Sequence, residues 1–361
     1  MRAATCRSYG PPDVLEVEEI ERPSPKENEV LVEVCATSVS SGDSRMRAFR
    51  GAGIFWLPMR LAFGVLRPRN PVTGMEFAGH IAAIGKGVTF FQVGDPIFGM
   101  KIGGANAEYV AVAEKGAIIA KPEALSFEEA AATPFGALTA LTFLRDFARL
   151  EAGEKVLVNG ASGAVGVFAV QLAKHFGAHV TGVTSTANLE LVKSLGADTV
   201  IDYTTTDFTK GVGLYDIILD TVGGTSFSRS RRALLPNGRH LFLVQQLTQL
   251  LQALWTSVRP GKRVICGFAR GNSKGDLLLI KNLIDAGTIR PVIDRTYGLH
   301  EIVSAHRRVD TGHKRGSVVV SVKAWSNFEL SGIAQRLGNC GIKSPGQFAP
   351  LQSATRGAVT A

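Results

Sequence analysis

Three glycines at three-residue spacing, Gly160, Gly163 and Gly166, are the residues whose types and spacing most directly suggest chemistry. They follow a short apolar run, Lys155–Asn159, that is typical of a buried parallel strand. They lead into residues 165–176, where apolar side chains recur at helical spacing. A strand, a glycine turn and a helix let the backbone approach a pyrophosphate, which binds N–H groups at the positive helix end. Glycine triplets also occur in ordinary tight turns, but this context favours a dinucleotide site.

The predicted cofactor site continues to the end of the second strand, at Thr184. An NAD site usually places Asp or Glu about 20 residues after the turn, to hold the ribose hydroxyls. No acid is present here to repel a 2′-phosphate, which favours NADPH over NADH. Alternatively, Ser185 or Thr186 only caps the next helix, and both roles can coexist. The predicted contacts in these two segments are Gly160, Ala161, Ser162, Gly163, Ala164, Val165, Gly166, Thr184, Ser185 and Asn188, with Lys174 or Lys193 as a source of positive charge.

Length and composition indicate a two-domain protein. A chain of 361 residues is long for one domain, and 45% hydrophobic residues suffice for a sizeable core. No apolar run reaches about 18 residues, so we predict no transmembrane segment. The first residues lack the apolar core of a signal peptide, so we expect a cytoplasmic protein. The net charge of +9 is scattered, which makes a nucleic-acid partner unlikely, and the 4 separated cysteines predict reduced thiols.

The chain changes character near residue 125. Residues 1–124 contain short strand-like segments between turn signals, whereas strands and helices alternate from residue 155. This pattern predicts an α/β fold with an open parallel sheet wound on both faces. The predicted strands are 14–20, 29–36, 78–84, 108–113, 156–159, 179–184, 199–202, 215–220, 239–244, 263–268, 291–296 and 317–322. The predicted helices are 126–150, 165–176, 188–195, 226–235, 247–257 and 274–286.

Two further segments have unusual composition. Residues 54–66 are strongly apolar but broken by Pro58. They fit a helix lining a substrate cleft, a partner surface or a membrane-touching lid, of which we prefer a buried cleft wall. Residues 323–361 are rich in Ser, Gly, Gln and Ala and predict a poorly ordered C-terminal tail.

Seven short motifs lie at residues 10–15, 29–32, 74–79, 93–95, 107–109, 160–166 and 195–198: GPPDVL, EVLV, GMEFAG, VGD, AEY, GASGAVG and LGAD. Together they resemble the medium-chain dehydrogenase/reductase superfamily, specifically its zinc-free quinone oxidoreductase branch, over about residues 1–322. The resemblance implies a GroES-like catalytic domain (1–124 and 269–322), a Rossmann domain that binds NADPH (125–268), and an active site between them. It also implies a homo-oligomer.

The resemblance implies that no metal is bound. Zinc-dependent members carry a cysteine where this chain has Ser40 and a histidine where it has Met75. Catalytic zinc needs three Cys, His or carboxylate ligands. There is no cysteine between Cys35 and Cys266, so the four-cysteine structural zinc lobe is missing as well.

Without zinc there is no Lewis acid to polarise a simple ketone. Quinones and α,β-unsaturated carbonyls accept hydride more readily, because their reduced forms are stabilised by conjugation. The protein then has to align the substrate and donate a hydrogen bond or proton. The candidate donors are Ser41, Asp43 and Arg45, although related members often have Asn-Pro in place of Ser41-Gly42. Asp43 alternatively caps the following turn, and Arg45 could equally lie on the surface.

Four more cofactor contacts are expected from the resemblance and from strand ends. Thr139 resembles a family position near the nicotinamide, and Tyr203 is expected near the adenosine. Val222 and Val244 follow strand ends and are expected at the ribose or nicotinamide.

The sequence therefore predicts an NADPH-dependent, zinc-independent reductase that transfers hydride to quinones or α,β-unsaturated carbonyls. One alternative is a reductase of the same fold with another acceptor, such as an enoyl thioester or an alcohol/ketone pair. A second alternative is a nucleotide-binding protein that has lost catalysis and binds RNA or a protein, for which the net charge is the only support.

Overall fold

The computed structural model describes residues 1–49, 56–268 and 273–322. Its strands are β1 (Arg2–Cys6), β2 (Leu15–Glu19), β3 (Glu29–Val39), β4 (Glu76–Ile84), β5 (Pro96–Met100), β6 (Tyr109–Ala113), β7 (Ala117–Ala120), β8 (Lys155–Asn159), β9 (His179–Thr184), β10 (Thr199–Asp202), β11 (Tyr215–Asp220), β12 (Leu234–Phe242), β13 (Arg263–Cys266), β14 (Ile293–Gly298) and β15 (Ser317–Ser321). Its helices are α1 (Ser41–Ala48), α2 (Trp56–Phe63), α3 (Phe127–Ala131), α4 (Pro134–Leu141), α5 (Ala164–His175), α6 (Leu189–Ser194), α7 (Phe227–Ser230), α8 (Leu247–Ser257), α9 (Lys274–Asp285) and α10 (Ile302–Asp310).

Strands from both ends of the described chain form one seven-stranded sheet. Its order is β14-β15-β3-β4-β5-β7, and β6 also pairs with β3. Strand β15 runs antiparallel to β3, so the late strands rejoin the first part of the chain, as the sequence predicted. Apolar side chains of β3 and β4 are buried with those of α10, which gives this sheet its own core.

A second sheet has six parallel strands in the order β10-β9-β8-β11-β12-β13. This is the doubly wound order, in which the chain changes direction between β8 and β11. A crevice opens at the carboxyl ends of these two strands, because their connections leave towards opposite faces. Across it, Asn159 Nδ2 donates a hydrogen bond of 3.1 Å to the Asp220 carboxylate. The structure thus confirms the predicted fold class.

Two helix predictions need correction. The predicted helix 126–150 is divided, because Pro134 cannot continue α3 and instead starts α4 at its first position. The predicted helix 226–235 is only the single turn α7, since Leu234 already pairs with Tyr215 in the parallel sheet. Sheet pairing here overrides a local helical pattern.

Some predictions concern residues without a described structure. The tail, residues 323–361, and positions 54 and 55 of the apolar stretch lie outside the described residues. In the part that is described, no helix has both the length and the apolar character needed to cross a bilayer.

A buried arginine joins α1, which carries the candidate donors, to α10. The Arg47 side chain has no exposed surface. It donates to the carbonyl of Gly10 at 3.1 Å, to Nδ1 of His306 at 3.0 Å and to the carboxylate of Asp310 at 2.6 Å. Burial, together with the neighbouring guanidinium, lowers the pKa of His306 to about 3, so its imidazole is neutral and accepts this bond.

We expect Arg47→Met to lower the free energy of unfolding by about 3–5 kcal/mol, because it leaves the Asp310 charge and two buried acceptors without their donor. Urea unfolding measures this loss. Arg7→Met is the matched control, since Arg7 is exposed and pairs with Glu18 at 2.7 Å in water, where its removal should change little. Equal effects of the two substitutions would contradict this role of Arg47.

Candidate active site

The glycine turn between β8 and α5 meets three different steric requirements. Gly160 has φ +82°, and an added Cβ would lie 2.5 Å from Thr221 Oγ1. A Cβ at Gly166 would lie 2.1 Å from the Gly160 carbonyl oxygen, so helix and turn could not pack. A Cβ at Gly163 would meet only the Gly160 oxygen, at 3.4 Å, an ordinary contact. The fold therefore needs Gly160 and Gly166, whereas Gly163 keeps open the space in front of the α5 N-terminus that a pyrophosphate requires.

Thr184 and Tyr203 lie beside this turn. The Thr184 hydroxyl donates to Ser162 Oγ at 2.8 Å, and its side chain is only 2% exposed. The Tyr203 amide donates to the Thr184 carbonyl at 3.0 Å, and the Tyr203 ring is exposed. The hydroxyl of Thr184 is thus bonded within the protein.

An acid that the sequence analysis missed lies next to Thr184. The register of β9 and β10 pairs Asp202 with Thr184. The Asp202 carboxylate accepts hydrogen bonds from the hydroxyls of Thr186 at 2.5 Å and Thr204 at 2.7 Å. Asp202 ends the neighbouring strand, so only the strand pairing reveals its position.

Two further expectations about the cofactor region change. Ser185 precedes the short turn Thr186–Asn188 but makes no side-chain cap; its hydroxyl instead accepts a bond from Asn188 at 3.1 Å. The proposed capping role of Ser185 is therefore wrong. Lys174 bonds both oxygens of Asp198, at 2.8 and 2.9 Å, near the amino end of β10. It therefore lies away from the carboxyl edge where a 2′-phosphate would bind.

The remaining predicted contacts surround the same edge of the sheet. Thr139 is buried on α4, which packs directly on α5, since a Cβ at Gly136 would lie 2.4 Å from the Ala164 oxygen. Val222 is exposed just after β11. Val244 follows β12 and lines a cavity.

That cavity has a volume of about 350 Å³, within the range of small-molecule sites, and its walls come mainly from α1, α2, α8 and the loops next to them. Most of its lining is apolar, with Met59 and Phe63 of α2 on one side and Leu247 and Leu250 of α8 on the other. The prediction that residues 54–66 form a buried wall of the substrate cleft is only partly right. Helix α2 lines the cavity, but none of its residues is buried. Its polar lining includes Asp43, Arg45, Arg69, Asn70, Thr73, Gln245 and Gln246.

The three candidate donors occupy different environments on α1. Ser41 is half-buried in the first turn. Asp43 accepts bonds from the amide of Ser40 at 2.8 Å and its hydroxyl at 2.6 Å, which confirms that it caps the helix. Burial raises the pKa of Asp43 to about 6, against the effect of these bonds. Arg45 is exposed and lines the cavity, and its side chain makes no hydrogen bond or ion pair within the described part of the chain. Partial burial of the guanidinium lowers its pKa.

Two buried ionisable groups, Glu76 and Lys314, interact with each other, and Glu76 also lies near Asp43. Glu76 accepts bonds from the Ser38 hydroxyl and, at 2.6 Å, from the Phe135 amide. Burial, and to a smaller extent the Asp43 charge, raises the pKa of Glu76 to about 7. Burial lowers the pKa of Lys314 to about 8, and its ammonium donates to the Gly316 carbonyl at 2.7 Å. The sequence analysis had no signal for Lys314, which is distant in the chain.

The residues at the zinc-ligand positions do not fit a zinc ion. The Ser40 hydroxyl is committed to Asp43, and Met75 offers a buried thioether. Both carboxylate oxygens of Glu76 are bonded within the protein. Over residues 1–49, 56–268 and 273–322, no group of three or more His, Cys, Asp or Glu could hold a metal.

A dinucleotide crevice beside an apolar cavity defines, as a class, an oxidoreductase that uses a nicotinamide cofactor. Residues 26–123 match the family described as alcohol dehydrogenase GroES-like domain, and residues 195–320 match the family described as zinc-binding dehydrogenase. The chain is 34% identical over 327 residues to the mitochondrial NAD(P)H oxidoreductase RTN4IP1 of Mus musculus, covering 82% of each chain. The chain belongs to the medium-chain dehydrogenase/reductase superfamily, and its relatives are quinone oxidoreductase-like members.

Two further similarities extend over most of the chain. It is 32% identical over 337 residues to the 2-methylene-furan-3-one reductase of Solanum lycopersicum, covering 89% of this chain and 79% of that one. The solved structure of the quinone oxidoreductase from Coxiella burnetii has a TM-score of 0.79 at 29% identity, covering 90% of this chain and 99% of that chain.

We expect Gly163→Val to abolish cofactor binding without unfolding the protein, because its side chain fills open space that the pyrophosphate needs. Titration of intrinsic fluorescence with NADPH measures binding, and circular dichroism checks the fold. Gly166→Val is the contrasting variant, expected not to fold because of the 2.1 Å clash. Near-normal NADPH binding by Gly163→Val would show that the turn is not the cofactor site.

We expect stability to fall as the pH rises from 4.5 to 7, because the folded state holds the Glu76 proton more tightly than the unfolded chain does. This contribution is complete below pH 4.5 and lost by about pH 7, with a size on the order of 3 kcal/mol. Asp43 acts in the same direction but only up to about pH 6. The free energy of unfolding of Glu76→Gln, measured with urea, should therefore not decline between pH 6 and 7.

The control for this pH effect is Glu21→Gln, which removes an exposed carboxylate. The free energy of unfolding of this variant should decline with pH as much as that of the wild type. An identical pH profile for wild type and Glu76→Gln would remove Glu76 as the cause.

Proposed function

We propose that this protein is an NADPH-dependent reductase of quinones and α,β-unsaturated carbonyls that works without zinc. The observation that carries the proposal is the apolar cavity at the carboxyl edge of the parallel sheet, whose lining includes Arg45, a side chain without a hydrogen-bond or ion-pair partner among the described residues. The cavity suits an apolar acceptor, and the guanidinium suits an oxygen that becomes negative during reduction.

Each role in the reaction follows from the cavity lining. The bound cofactor supplies a hydride. As the substrate receives it, negative charge develops on the carbonyl oxygen, and Arg45 donates a hydrogen bond to that oxygen. Burial lowers the pKa of the Arg45 guanidinium, but arginine remains charged at neutral pH. Conjugation spreads the charge over the substrate, so no metal is needed; the proton comes from water, because Asp43 is occupied in capping α1.

The similar proteins support this substrate class. The tomato relative is named for an enone, 2-methylene-furan-3-one, and the Coxiella burnetii structure for a quinone. Both sheets also support the proposed division into residues 1–124 with 269–322 and residues 125–268, because each sheet takes its strands from one set.

The substrate proposal predicts NADPH oxidation with soluble quinones and enones that is unchanged by a chelator, and very slow turnover of saturated primary alcohols. Absorbance of NADPH measures both, with a crotonyl thioester included to detect the alternative acceptor class. Bound zinc whose removal abolishes activity, or turnover confined to alcohols or thioesters, would overturn the proposal.

The substitution Arg45→Met tests the proposed role of the guanidinium. It should lower kcat by about 10²- to 10³-fold while leaving NADPH binding intact, since it removes a donor to the developing oxyanion. Arg69→Met keeps Arg45 while removing another cavity-lining charge, and it should have a smaller effect on kcat.

The preference for NADPH is the second part of the proposal. No acid ends β9, and the Asp202 carboxylate one strand away is already hydrogen-bonded to Thr186 and Thr204. Ser185 and Asn188 follow β9 and are bonded to each other; the Ser185 hydroxyl hydrogen and the second amide hydrogen of Asn188 can still donate to a phosphate.

We expect Thr184→Asp to weaken NADPH binding about tenfold or more relative to NADH, because a carboxylate there repels the 2′-phosphate. Thr184→Asn is the control of nearly equal shape without the charge, and it should keep the preference for NADPH. Fluorescence titration with both cofactors decides the matter: equal wild-type affinity for the two cofactors would contradict the preference.

A further inference from the structure

The charged side chains that line the cavity do not balance one another. Among the residues that the structure describes, the lining contains three arginines and a single acid, Asp43. Arg47 is paired with Asp310 at 2.6 Å, and the Asp43 carboxylate is occupied in capping α1. The other two arginines, Arg45 and Arg69, have no hydrogen-bond or ion-pair partner for their side chains within the described ranges. The lining therefore carries two positive charges that the protein itself leaves unpaired.

Arg69 belongs to a loop whose backbone is held in place. This loop, residues 64–70, follows α2 and contains no aspartate or glutamate. The Tyr9 hydroxyl donates to the Gly64 carbonyl at 2.9 Å, and the Arg69 amide donates to the Phe63 carbonyl at 2.8 Å. Gly64 has φ +124°, and a Cβ there would lie 2.0 Å from a carbonyl oxygen of the same loop, so this turn requires glycine. The loop thus presents Arg69 to the cavity from a fixed backbone.

An arginine inside α2 anchors the start of this loop. The Arg60 guanidinium lies 4.2 Å from the centres of both the Tyr9 and the Phe49 ring, and 5.3 Å from that of Trp56. It also donates to the Val65 carbonyl at 2.6 Å. Such contacts between a cation and aromatic faces are attractive. Arg60 is therefore committed to the protein and is not available to a ligand.

The neighbour of Arg69 in the chain adds a second donor to the cavity. Asn70 also lines the cavity, and its side-chain oxygen accepts a bond of 3.1 Å from the Val72 amide. This bond assigns the orientation of the amide group, because only the oxygen can accept from an N–H. The Asn70 Nδ2 group has no acceptor in the part of the chain that the structure describes. A planar guanidinium and an amide NH₂ are both donors that suit a carboxylate.

We propose that Arg69 and Asn70 bind a carboxylate of the acceptor, so that the substrates are enones or quinones that carry a carboxylate. The inference rests on the proposed function, in which Arg45 donates to the carbonyl oxygen, and it gives the second unpaired charge its partner. A neutral ligand would remove water from Arg69 without replacing the lost hydrogen bonds. A carboxylate replaces them with charge-assisted bonds, and its single charge matches one guanidinium.

The test is a series of propenyl ketones that bear a carboxylate at the end of a methylene chain of varying length, each compared with its methyl ester. NADPH oxidation gives kcat and KM for every compound. At the best chain length, the wild type should have a higher kcat/KM for the acid than for the ester. Arg69→Met should raise the ratio of the acid KM to the ester KM about tenfold, because only the acid loses a charge-assisted bond.

Three further variants separate a specific contact from a general effect of charge. Arg67→Met is the matched control, since Arg67 is exposed on the same loop but does not line the cavity, and it should leave the KM ratio unchanged. Arg69→Lys keeps the charge without the planar fork and should recover part of the loss. Asn70→Asp keeps an acceptor for the Val72 amide but repels a carboxylate, so it should raise the KM ratio as Arg69→Met does.

Binding without reaction separates this inference from the proposed function. A saturated keto acid, titrated by calorimetry into the protein with NADP⁺, which cannot donate a hydride, should bind more tightly than its methyl ester. Arg69→Met should remove this difference. Binding of the keto acid that depends on Arg69, without reduction of any acceptor, would overturn the proposed function and leave the carboxylate site in place.

Three results would overturn the carboxylate site. The first is the same KM ratio in the wild type and in Arg69→Met. The second is an equal change of that ratio in Arg67→Met, which would make the effect one of general charge. The third is a wild type whose kcat/KM is higher for the ester than for the acid at every chain length.

Discussion

One backbone hydrogen bond connects the glycine turn of the parallel sheet to the other sheet. The Gly316 amide donates to the Ser162 carbonyl at 2.7 Å, and Gly163 and Gly316 form an isolated parallel bridge. Gly316 has φ +73°, and a Cβ there would lie 2.1 Å from the Val292 carbonyl oxygen, so no other residue fits this position. Because the bond joins the turn to the segment that enters β15, it ties the glycine turn directly to the seven-stranded sheet.

The segment around Gly316 also carries a buried charge, that of Lys314. Lys314, two residues before Gly316, attracts Glu76, while Ser317 donates a bond of 3.1 Å to the carbonyl of Ala132 after α3. Buried ionisable groups are costly unless each polar atom has a partner. Lys314 and Glu76 have partners in backbone groups and in Ser38, so this buried pair of charges is accommodated inside the protein.

Two arginines of α1 show how a helix separates structural from chemical roles. Both Arg45 and Arg47 line the cavity. Arg47 is fully buried and bonded to Gly10, His306 and Asp310, which fixes α1 against α10. The Arg45 side chain has no such bond among the described residues, so its guanidinium is the one that a substrate can meet.

The sequence by itself determined the features that depend on neighbours a few residues apart. Strand β8, the glycine turn and α5, the exact bounds of α8, and the capping box at Ser126 follow from periodicity and local hydrogen bonding. The family motifs added the domain of the seven-stranded sheet, to which the chain returns through β15. These patterns are visible in one dimension because their contacts are made within a few residues.

Only the tertiary structure decided which distant residues meet. The position of Asp202 beside Thr184 depends on the register of two strands, and that of Lys314 near Glu76 depends on the return of the chain into the first sheet. The predicted helix 226–235 became a strand at Leu234 because sheet pairing outweighs local propensity. Such contacts join residues far apart in sequence, and their free energy comes from packing that the local pattern does not contain.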